Sequence, residues 1–574
     1  MDEKTTVRTA RRALEDWQAT RPRNLYTTDR LLQRVLSRYL GDALDAHTRD
    51  LEATGAASSS PLAELVDREG RDENLPRLEP FDGIGRHAEE VVFHPLHDEI
   101  GRYFWGSGAL SVLAEPGNER LSGALIYLLD QNGEAGHACP IACTAGAVKL
   151  IQAVGTAEQK ERWLPSLLER DYDRRLHAAQ FVTEVQGGSD VGSNELRAVA
   201  EPDASGAWRL WGEKWFCSVA DAGLFVVTAR PDEAAGGTRG LALFLVPRTV
   251  DGEPNGFRLR RLKTKLGTRS LATGEIDFEG ARAELIGPLD HGFKNLLAIV
   301  LDTSRVHNAL ASTAFMRRAY TEAQSYARHR KAFGRRIVDY PAVQATLARM
   351  RLRLTTSVLT TFRVLDMTDR LAVDPGDDAL RGARRIAVMI NKYWTAVGAT
   401  AAARDGIEIL GGNGTIEDFS PLPRLYRDAM VLESWEGSHN TLAAQVIRDM
   451  AVRGLAAPWF ASLHGELAAV RRPELADGAR AAHRFLETLR GRADRLLAEG
   501  ENRAAVLMRP LLDQMCIATD LVALLTQAAW ELERGLDADT GKLIELYRLQ
   551  EIDRADPLGQ PRLPVLWGEI SKTV

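Results

Sequence analysis

The feature that most constrains the fold of this chain is a change in the spacing of its apolar residues near Ala178. Short runs rich in Val, Phe, Leu and Ile begin there, and Gly, Pro or Asp separates them at intervals of about ten residues. The runs are AAQFVTE, WRLWGEKWFCSV, LFVVTARP, LALFLVPR, FRLRRLK and TGEIDFEGA. Runs of this length and spacing predict a small antiparallel sheet or barrel.

Helical spacing of apolar residues surrounds this region on both sides. It runs from about Leu31 to Leu168, and it returns in long segments from about Phe293 to Arg453. Further amphipathic helices follow Leu455. The predicted fold is therefore mainly α with a central β-domain. The predicted parts are a polar N-terminal tail at 1–23, an N-terminal helical domain at 24–175, a middle β-barrel domain at 176–288, a C-terminal helical bundle at 289–454 and an extra helical C-terminal domain at 455–574.

Composition excludes several classes of protein. With 45% hydrophobic and 26% charged residues among 574, the chain has the composition of a globular protein of several domains. No run approaches the roughly 18 to 20 apolar residues of a membrane span, and the N-terminus lacks the apolar stretch of a signal peptide. Four Cys residues indicate a reducing compartment, so a cytoplasmic location is expected. The net charge of −6 gives no general reason to expect nucleic-acid binding.

Two of the cysteines invite a metal interpretation. Cys139 and Cys143 lie four residues apart and close to His137. Because no fourth ligand is near in the sequence, two thiols in the core of a helix are the favoured interpretation, and no metal is predicted.

A loop and a strand carry side chains that suit a flavin. The segment FVTEVQGGSDVGSNELRA leaves a predicted strand through a Gly-Gly turn with hydroxyls on either side, at Thr183 and Ser189. Glycines let a backbone approach a ligand closely, although an ordinary hairpin loop has the same pattern. Farther along, the two-residue period of a strand places Phe216 and Ser218 on one face. An aromatic surface and hydroxyls suit a flavin ring, and its diphosphate needs a cation and backbone amides.

The stretch SWEGSHN places a carboxylate, Glu436, between Trp435 and a Gly-Ser step. In one interpretation Ser438 or Asn440 caps a helix that begins around Thr441, and the nearby acid suits the positive end of the helix dipole. In the other, Glu436 is a catalytic base, which needs a partly apolar pocket. This stretch alone leaves both interpretations open.

These segments occur in the order of a known family. The pattern TE-x-x-x-GSD at 183–190 is followed by KWFCS, RKAFG and ILGGNG. Over about Asn24 to Asp449 the chain resembles flavoproteins of the acyl-CoA dehydrogenase superfamily, above all its AidB-like branch. The resemblance implies an N-terminal helical domain, a middle antiparallel β-barrel and a C-terminal four-helix bundle, here followed by the extra helical domain.

The resemblance also implies how FAD would bind. Thr183 and Ser218 would bond the flavin ring, Phe216 would flank it, and Ser189 would meet the pyrophosphate.

Other FAD contacts implied by the resemblance cross between subunits. Arg330 and Phe333 would bind the diphosphate and adenine of a neighbouring subunit, and the backbone at Gly411 and Gly412 would admit that diphosphate. A shared FAD implies an obligate oligomer, and a homotetramer is the family's usual assembly.

The family's base is the Glu of a [YW]-E-G-[ST] segment, which removes the α-proton of a thioester, and Glu436 matches it. Another branch carries its base just before the Arg of an LDxxR helix, where this chain has Ser304 in LDTSR. Arg305, Trp435 and His439 are further candidates for substrate contact. For His439, a solvated loop position is the alternative.

Three positions depart from the family's pattern and leave the substrate undetermined. Glu408 stands in place of the usual Gln, Ala332 in place of a common Thr, and Thr415 in place of a frequent aromatic residue.

Three functions remain open. The favoured one is FAD-dependent oxidation of an acyl thioester or related substrate, in which Glu436 takes a proton, flavin N5 accepts a hydride and an electron-transfer flavoprotein is a candidate acceptor. The second is an AidB-like stress protein whose C-terminal region binds DNA. From Leu455 to Val574, however, 15 Lys and Arg residues oppose 18 Asp and Glu residues, a net charge of −3 that disfavours phosphate binding. The third is a flavin oxidase or monooxygenase.

Overall fold

The computed structural model of this chain describes residues 3–202, 206–537 and 539–572. Its helices are α1 Glu3–Gln18, α2 Arg30–Leu40, α3 Thr48–Ala57, α4 Ser60–Glu69, α5 Leu96–Gly106, α6 Glu119–Asp130, α7 Ala135–Val154, α8 Ala157–Leu167, α9 Gly292–Asn295, α10 Leu301–His329, α11 Pro341–Val373, α12 Asp378–Leu410, α13 Leu422–Ser434, α14 His439–Arg453, α15 Ala456–Ala468, α16 Ala476–Ala498, α17 Glu501–Glu533, α18 Asp539–Tyr547 and α19 Arg562–Lys572. Its strands are β1 Arg77–Phe81, β2 His87–Val92, β3 Ala178–Phe181, β4 Arg197–Ala200, β5 Ala207–Ser218, β6 Leu224–Pro231, β7 Ala242–Pro247, β8 Thr249–Val250, β9 Glu253–Pro254, β10 Phe257–Leu262, β11 Thr273–Leu285, β12 Lys331–Ala332 and β13 Arg335–Arg336.

These elements form two compact units. The barrel unit is Ser60–His307, and the bundle unit combines Met1–Ser59 with Asn308–Val574. Contacts therefore group the first helices with the end of the chain, whereas the predicted five-part division follows chain order. That division stays a prediction.

The barrel unit contains a closed ring of strands, because β7 pairs with both β6 and β11 while β5 and β4 complete the circle. Strand β10 extends the ring beside β11, and β3 extends it beside β6. The β-barrel is thus confirmed. Two of its pairings, β3 with β6 and β4 with β6, are parallel, whereas the sequence pattern predicted antiparallel pairing only. The two-residue period assigns side chains to faces but does not specify the neighbour or its direction.

The core of the barrel unit lies between strands and helices. Strands β6 and β7 are buried along almost their whole length, so both of their faces are covered. Their apolar side chains pack with those of α7, a cluster that includes Leu150, Ile151, Leu224, Val226, Leu243 and Leu245.

The bundle unit is built on three long helices. Helix α10 has 29 residues, and α11 and α12 have 33 each. Asp377 begins α12 by accepting a hydrogen bond from the Leu380 N–H, and Gly411 ends it with a φ of +63°. Helix α17, from the C-terminal extension, packs against α11, α12 and α14. The extension is therefore continuous with the bundle.

The segment expected as a polar N-terminal tail contains α1. Its Trp17 is buried, with ring centroids 5.2 Å from Tyr326 and 5.1 Å from Phe419. Val7, Leu14 and Trp17 do have helical spacing, but they are few among charged residues, so the segment was predicted to be a polar tail.

Two helices of the described chain are long and apolar enough to cross a membrane, judged by length and composition alone. They are Ala135–Val154 and Arg503–Glu533, with 61% and 83% of their apolar windows buried inside the protein. The expectation that no segment approaches this limit is thereby corrected. Core helices of folded proteins have the same composition, because they too are surrounded by apolar groups.

Candidate functional site

The loop that follows β3 brings the predicted flavin-binding residues of the barrel unit close to β5. The Trp215 N–H donates to the Thr183 carbonyl at 2.9 Å. At Gly188, an added Cβ would lie 3.2 Å from Oγ1 and Cγ2 of Thr183, so the turn returns close to the hydroxyl. Ser189 is exposed at the tip of this loop.

A buried ion pair holds this loop. The Lys214 ammonium donates to Oε1 of Glu184 at 2.6 Å and to the Val182 carbonyl at 3.1 Å, and both charged side chains are almost fully buried. Burial lowers the pKa of Lys214, and the Glu184 carboxylate opposes that effect. Glu184 also accepts from the Glu195 N–H at 2.6 Å. The TE motif thus supplies an internal anchor beside the candidate flavin ligand.

Strand β5 presents the predicted aromatic and hydroxyl pair on one face. Phe216 is 50% exposed, whereas Cys217 between them is buried on the other face. The Ser218 hydroxyl lies 3.3 Å from that of Thr273 on β11. The Lys263 ammonium lies 4.8 Å from the Phe216 ring centroid and pairs with Glu275 at 2.6 Å.

The alternative base position that the resemblance gives, in LDTSR, holds a Ser and no carboxylate. The Ser304 hydroxyl is buried on α10, accepts from the Gln180 side chain at 2.6 Å and donates to the Val300 carbonyl at 3.2 Å. The neighbouring Arg305 is also buried. His307, one turn along, has its pKa lowered to about 3 by burial first and by Lys149 second, so it is neutral.

Arg330 and Phe333 lie in the β12–β13 hairpin of the bundle unit. Phe333 is 98% exposed, with a φ of +50°, and Arg330 is exposed as well. This exposure leaves the Phe333 ring accessible to a contact outside its own chain.

The Gly-Gly step after α12 forms a backbone surface. An added Cβ at Gly411 or Gly412 would meet no atom within 4 Å. At Gly414, by contrast, it would lie 2.5 Å from the Ile407 carbonyl oxygen. The first two glycines therefore border open space, and the third is required by packing.

Glu436 lies in the turn between α13 and α14, which we call the base turn and define as residues 435–438. Its φ of +58° is in the left-handed region, which costs a non-glycine residue about 1 to 3 kcal/mol. Gly437 follows with a φ of +107°. Oε2 of Glu436 is shielded from solvent, although the residue as a whole is half-buried. Strained, partly buried carboxylates of this kind are typical of functional sites.

The capping interpretation explains this turn poorly. Helix α14 begins at His439 rather than near Thr441, and Ser438 occupies its N-cap position. The Ser438 hydroxyl makes no bond to the helix backbone and lies 2.9 Å from that of Thr441.

The other candidates near Glu436 share its turn. Trp435 is half-buried and ends α13. His439 is not a solvated loop residue, because its Nε2 lies 2.8 Å from Oε2 of Glu433. Its pKa is lowered, first by burial, which the Glu433 bond opposes. The neutral ring therefore donates from Nε2 to the carboxylate.

Sequence reasoning missed the residues that hold these sites in place. Lys214 in the barrel unit and Lys392 in the bundle unit are both fully buried. Each is a cation followed directly by two aromatic residues, in the stretches WGEKWFC and VMINKYW. That pattern is a usable signal, because a Lys in such a position is rarely buried without a partner.

Within the described part of the chain, no group of three or more His, Cys, Asp or Glu side chains has the arrangement of a metal site. Cys139 and Cys143 lie on α7 with their sulfur atoms 3.9 Å apart. Nearby His137 is fully buried, and burial lowers its pKa well below the usual range. Cys143 is buried and Cys139 is half-buried, and the interpretation as two thiols of a helix stays a prediction.

Comparisons with known proteins agree with this architecture. Residues 17–174 match the N-terminal domain of the adaptive response protein AidB, residues 179–281 the middle domain of acyl-CoA dehydrogenases, and residues 290–451 their C-terminal domain. The putative acyl-CoA dehydrogenase AidB of Escherichia coli is 34% identical over 444 residues, which cover 74% of this chain and 77% of AidB.

Two further matches come from Caenorhabditis elegans. Acyl-CoA dehydrogenase family member 11 is 31% identical over 440 residues, covering 74% of this chain and 70% of the relative. The crystal structure of ACDH-11 in complex with C11-CoA superposes with a TM-score of 0.86 at 26% identity, covering 93% of this chain and 92% of that one.

Proposed function

Because the chain belongs to the acyl-CoA dehydrogenase family, we propose that it is an FAD-dependent oxidoreductase that removes a proton from the α-carbon of an acyl thioester. The observation that carries this proposal is the base turn, where Glu436 is strained, partly buried and in the position of the family's base.

Members of this family bind FAD, and the residues present fit that cofactor. Thr183 and Ser218 offer hydroxyls beside the half-exposed ring of Phe216, as a flavin ring requires.

A diphosphate and an adenine also have matching groups. The open backbone at Gly411 and Gly412 offers amides without a side chain in the way, and Arg330 offers a guanidinium for phosphate. The exposed ring of Phe333 suits stacking on adenine.

In this chemistry the chain's own residues remove the α-proton and hold the Glu436 carboxylate in position. When bound, FAD supplies the acceptor for the hydride that leaves the β-carbon. The Glu436 carboxylate takes the α-proton, and the electron pair of that C–H bond becomes the new α,β double bond. Trp435 is an apolar neighbour of Glu436 in the sequence, and the fixed backbone of the base turn limits the motion of the Glu436 carboxylate.

Relatives guide the proposed substrate and assembly. ACDH-11 was crystallised with C11-CoA, so a long acyl-CoA is the first substrate to test. We further propose a homotetramer, because Arg330 and Phe333 extend away from their own chain. We do not assign DNA binding to the C-terminal extension, because its net charge is −3.

The test is to replace Glu436 by Gln, which keeps the shape and removes the basicity. Acyl-CoAs of increasing chain length are mixed anaerobically with the wild type and with Glu436→Gln, and bleaching of flavin absorbance is followed. We expect the variant to retain FAD and to reduce it at least about 10²-fold more slowly. Glu474→Gln is the matched control, because Glu474 is an exposed carboxylate whose partner is Arg472 in its own surface segment.

If Glu436→Gln bleaches at the wild-type rate with a substrate that the wild type turns over, Glu436 is only a turn residue. A wild type that binds FAD but reduces none of the acyl-CoAs would contradict the proposed function.

A further inference from the structure

The base turn is held by groups from three other helices. Its two left-handed residues, Glu436 and Gly437, are consecutive. Left-handed backbone in a residue with a side chain persists only where the surroundings specify it. The groups that specify it here lie on α12, α13 and α17.

Lys392 on α12 donates hydrogen bonds to the backbone on both sides of Glu436. Its ammonium is fully buried and donates to the carbonyls of Glu433 and Gly437, at 3.1 Å each. One of these carbonyls is in the last turn of α13, where the helix dipole favours a cation. Because the two acceptors lie on either side of Glu436, this one charge fixes both ends of the backbone that carries it.

The Glu433 side chain connects α13 to the start of α14. It accepts from the Thr400 hydroxyl at 2.5 Å and from Nε2 of His439 at 2.8 Å. The first residue of α14 is thus tied to the helix that precedes the base turn.

The C-terminal extension completes this network through Tyr393. The Tyr393 hydroxyl donates to Asp513 at 2.5 Å and accepts from Arg509 at 3.1 Å, and both partners lie on α17. Burial, with Asp513 next, raises the pKa of Tyr393, so the hydroxyl keeps its proton. The tyrosine ring stands edge-on to His439 with centroids 5.1 Å apart.

Arg509 also reaches α14 directly. Its guanidinium donates to the Asn440 side chain at 3.3 Å and lies 4.8 Å from the Tyr393 ring centroid. One extension residue therefore contacts both the ring behind His439 and the residue that follows it.

From these contacts we infer that Lys392 and the Arg509–Tyr393–Asp513 cluster are positioning residues for Glu436. On this inference, which rests on the proposed function, the C-terminal extension is part of the apparatus that presents the base. Removing its polar contacts slows proton removal without removing the cofactor.

The experiment uses the full chain and two variants that remove polar contacts while leaving the core packed. Tyr393→Phe deletes one hydroxyl and keeps the ring, and Arg509→Gln removes the guanidinium. We expect kcat to fall about tenfold in each, with KM and FAD content unchanged, as when a hydrogen bond to a charged group is lost. Arg492→Gln is the matched control, because Arg492 lies on α16 and donates to Gln514 of α17 rather than to Tyr393, Asp513 or Asn440.

A double-variant cycle separates positioning from general damage. If the cluster acts through Glu436, Tyr393→Phe changes nothing further once Glu436→Gln is present. Amide hydrogen exchange of the peptide 434–441 gives a second readout that needs no substrate, and it should be faster in Tyr393→Phe and Arg509→Gln than in Arg492→Gln.

The outcomes distinguish the two proposals. A wild type inactive on acyl-CoA contradicts the proposed function, while the exchange measurement still tests the contacts. Wild-type kcat in both variants, unchanged exchange at 434–441, or an equal rate loss in the Glu436→Gln background would overturn the positioning inference.

Discussion

At the scale of single residues, the sites of this protein depend on buried charges that are paired. The Lys214–Glu184 pair is 2.6 Å long with side-chain exposures of 0% and 3%. Replacing Lys214 by Met leaves a buried carboxylate without its counter-charge, so we expect the free energy of unfolding to fall by about 3 to 5 kcal/mol. Arg77→Met removes an exposed pair with Glu79 and should cost less than about 1 kcal/mol. Urea denaturation of the two variants measures both losses in the free energy of unfolding. Equal losses would mean that the buried pair stabilises the fold no more than the exposed pair does.

At the scale of elements, α17 carries a buried acid that links stability to pH. Asp520 accepts from Trp394 at 2.9 Å and from Tyr547 at 3.0 Å, and burial raises its pKa to about 7. The unfolded carboxyl titrates near pH 4, so the stability that Asp520 contributes is full below about pH 4 and is lost as the pH rises towards 7. We expect Asp520→Asn to reduce the fall in unfolding free energy between pH 5 and 7 by up to about 1.4 kcal/mol per pH unit, measured by urea denaturation at each pH. Asp553→Asn is the control, because it removes an exposed acid that pairs with Arg548 in the same part of the chain. An Asp520→Asn profile parallel to that of this control would contradict the assignment.

At the scale of the whole molecule, the proposed homotetramer predicts that the β12–β13 hairpin contributes to both FAD retention and assembly. Arg330 and Phe333 are exposed, and each has the chemistry to bind FAD held by another copy of the chain. We expect Arg330→Ala to lose FAD during gel filtration, because a charge-assisted contact to phosphate is removed, with light scattering reporting the oligomeric state. Arg336→Ala is the control, since Arg336 lies in the same hairpin but pairs with Asp339 of its own chain. Equal flavin content in both variants would exclude a role of Arg330 in FAD binding.

Sequence alone determined the class of the fold and the identity of the base candidate. The change of period near Ala178 located the barrel, because alternation in a strand is a local property. Alternation also placed Phe216 and Ser218 on one face with Cys217 on the other. The ordered motifs indicated the family, and that resemblance, rather than the SWEGSHN stretch alone, indicated Glu436 as the base candidate.

Tertiary structure alone decided what surrounds those residues. The parallel pairing of β6 with β3 and β4 depends on a neighbour that periodicity does not specify. Lys392 reaches the base turn from 41 and 45 residues away in sequence, and Arg509 meets Tyr393 from 116 residues away. Burial and distance between remote residues follow from packing of the whole unit, so no local pattern encodes them.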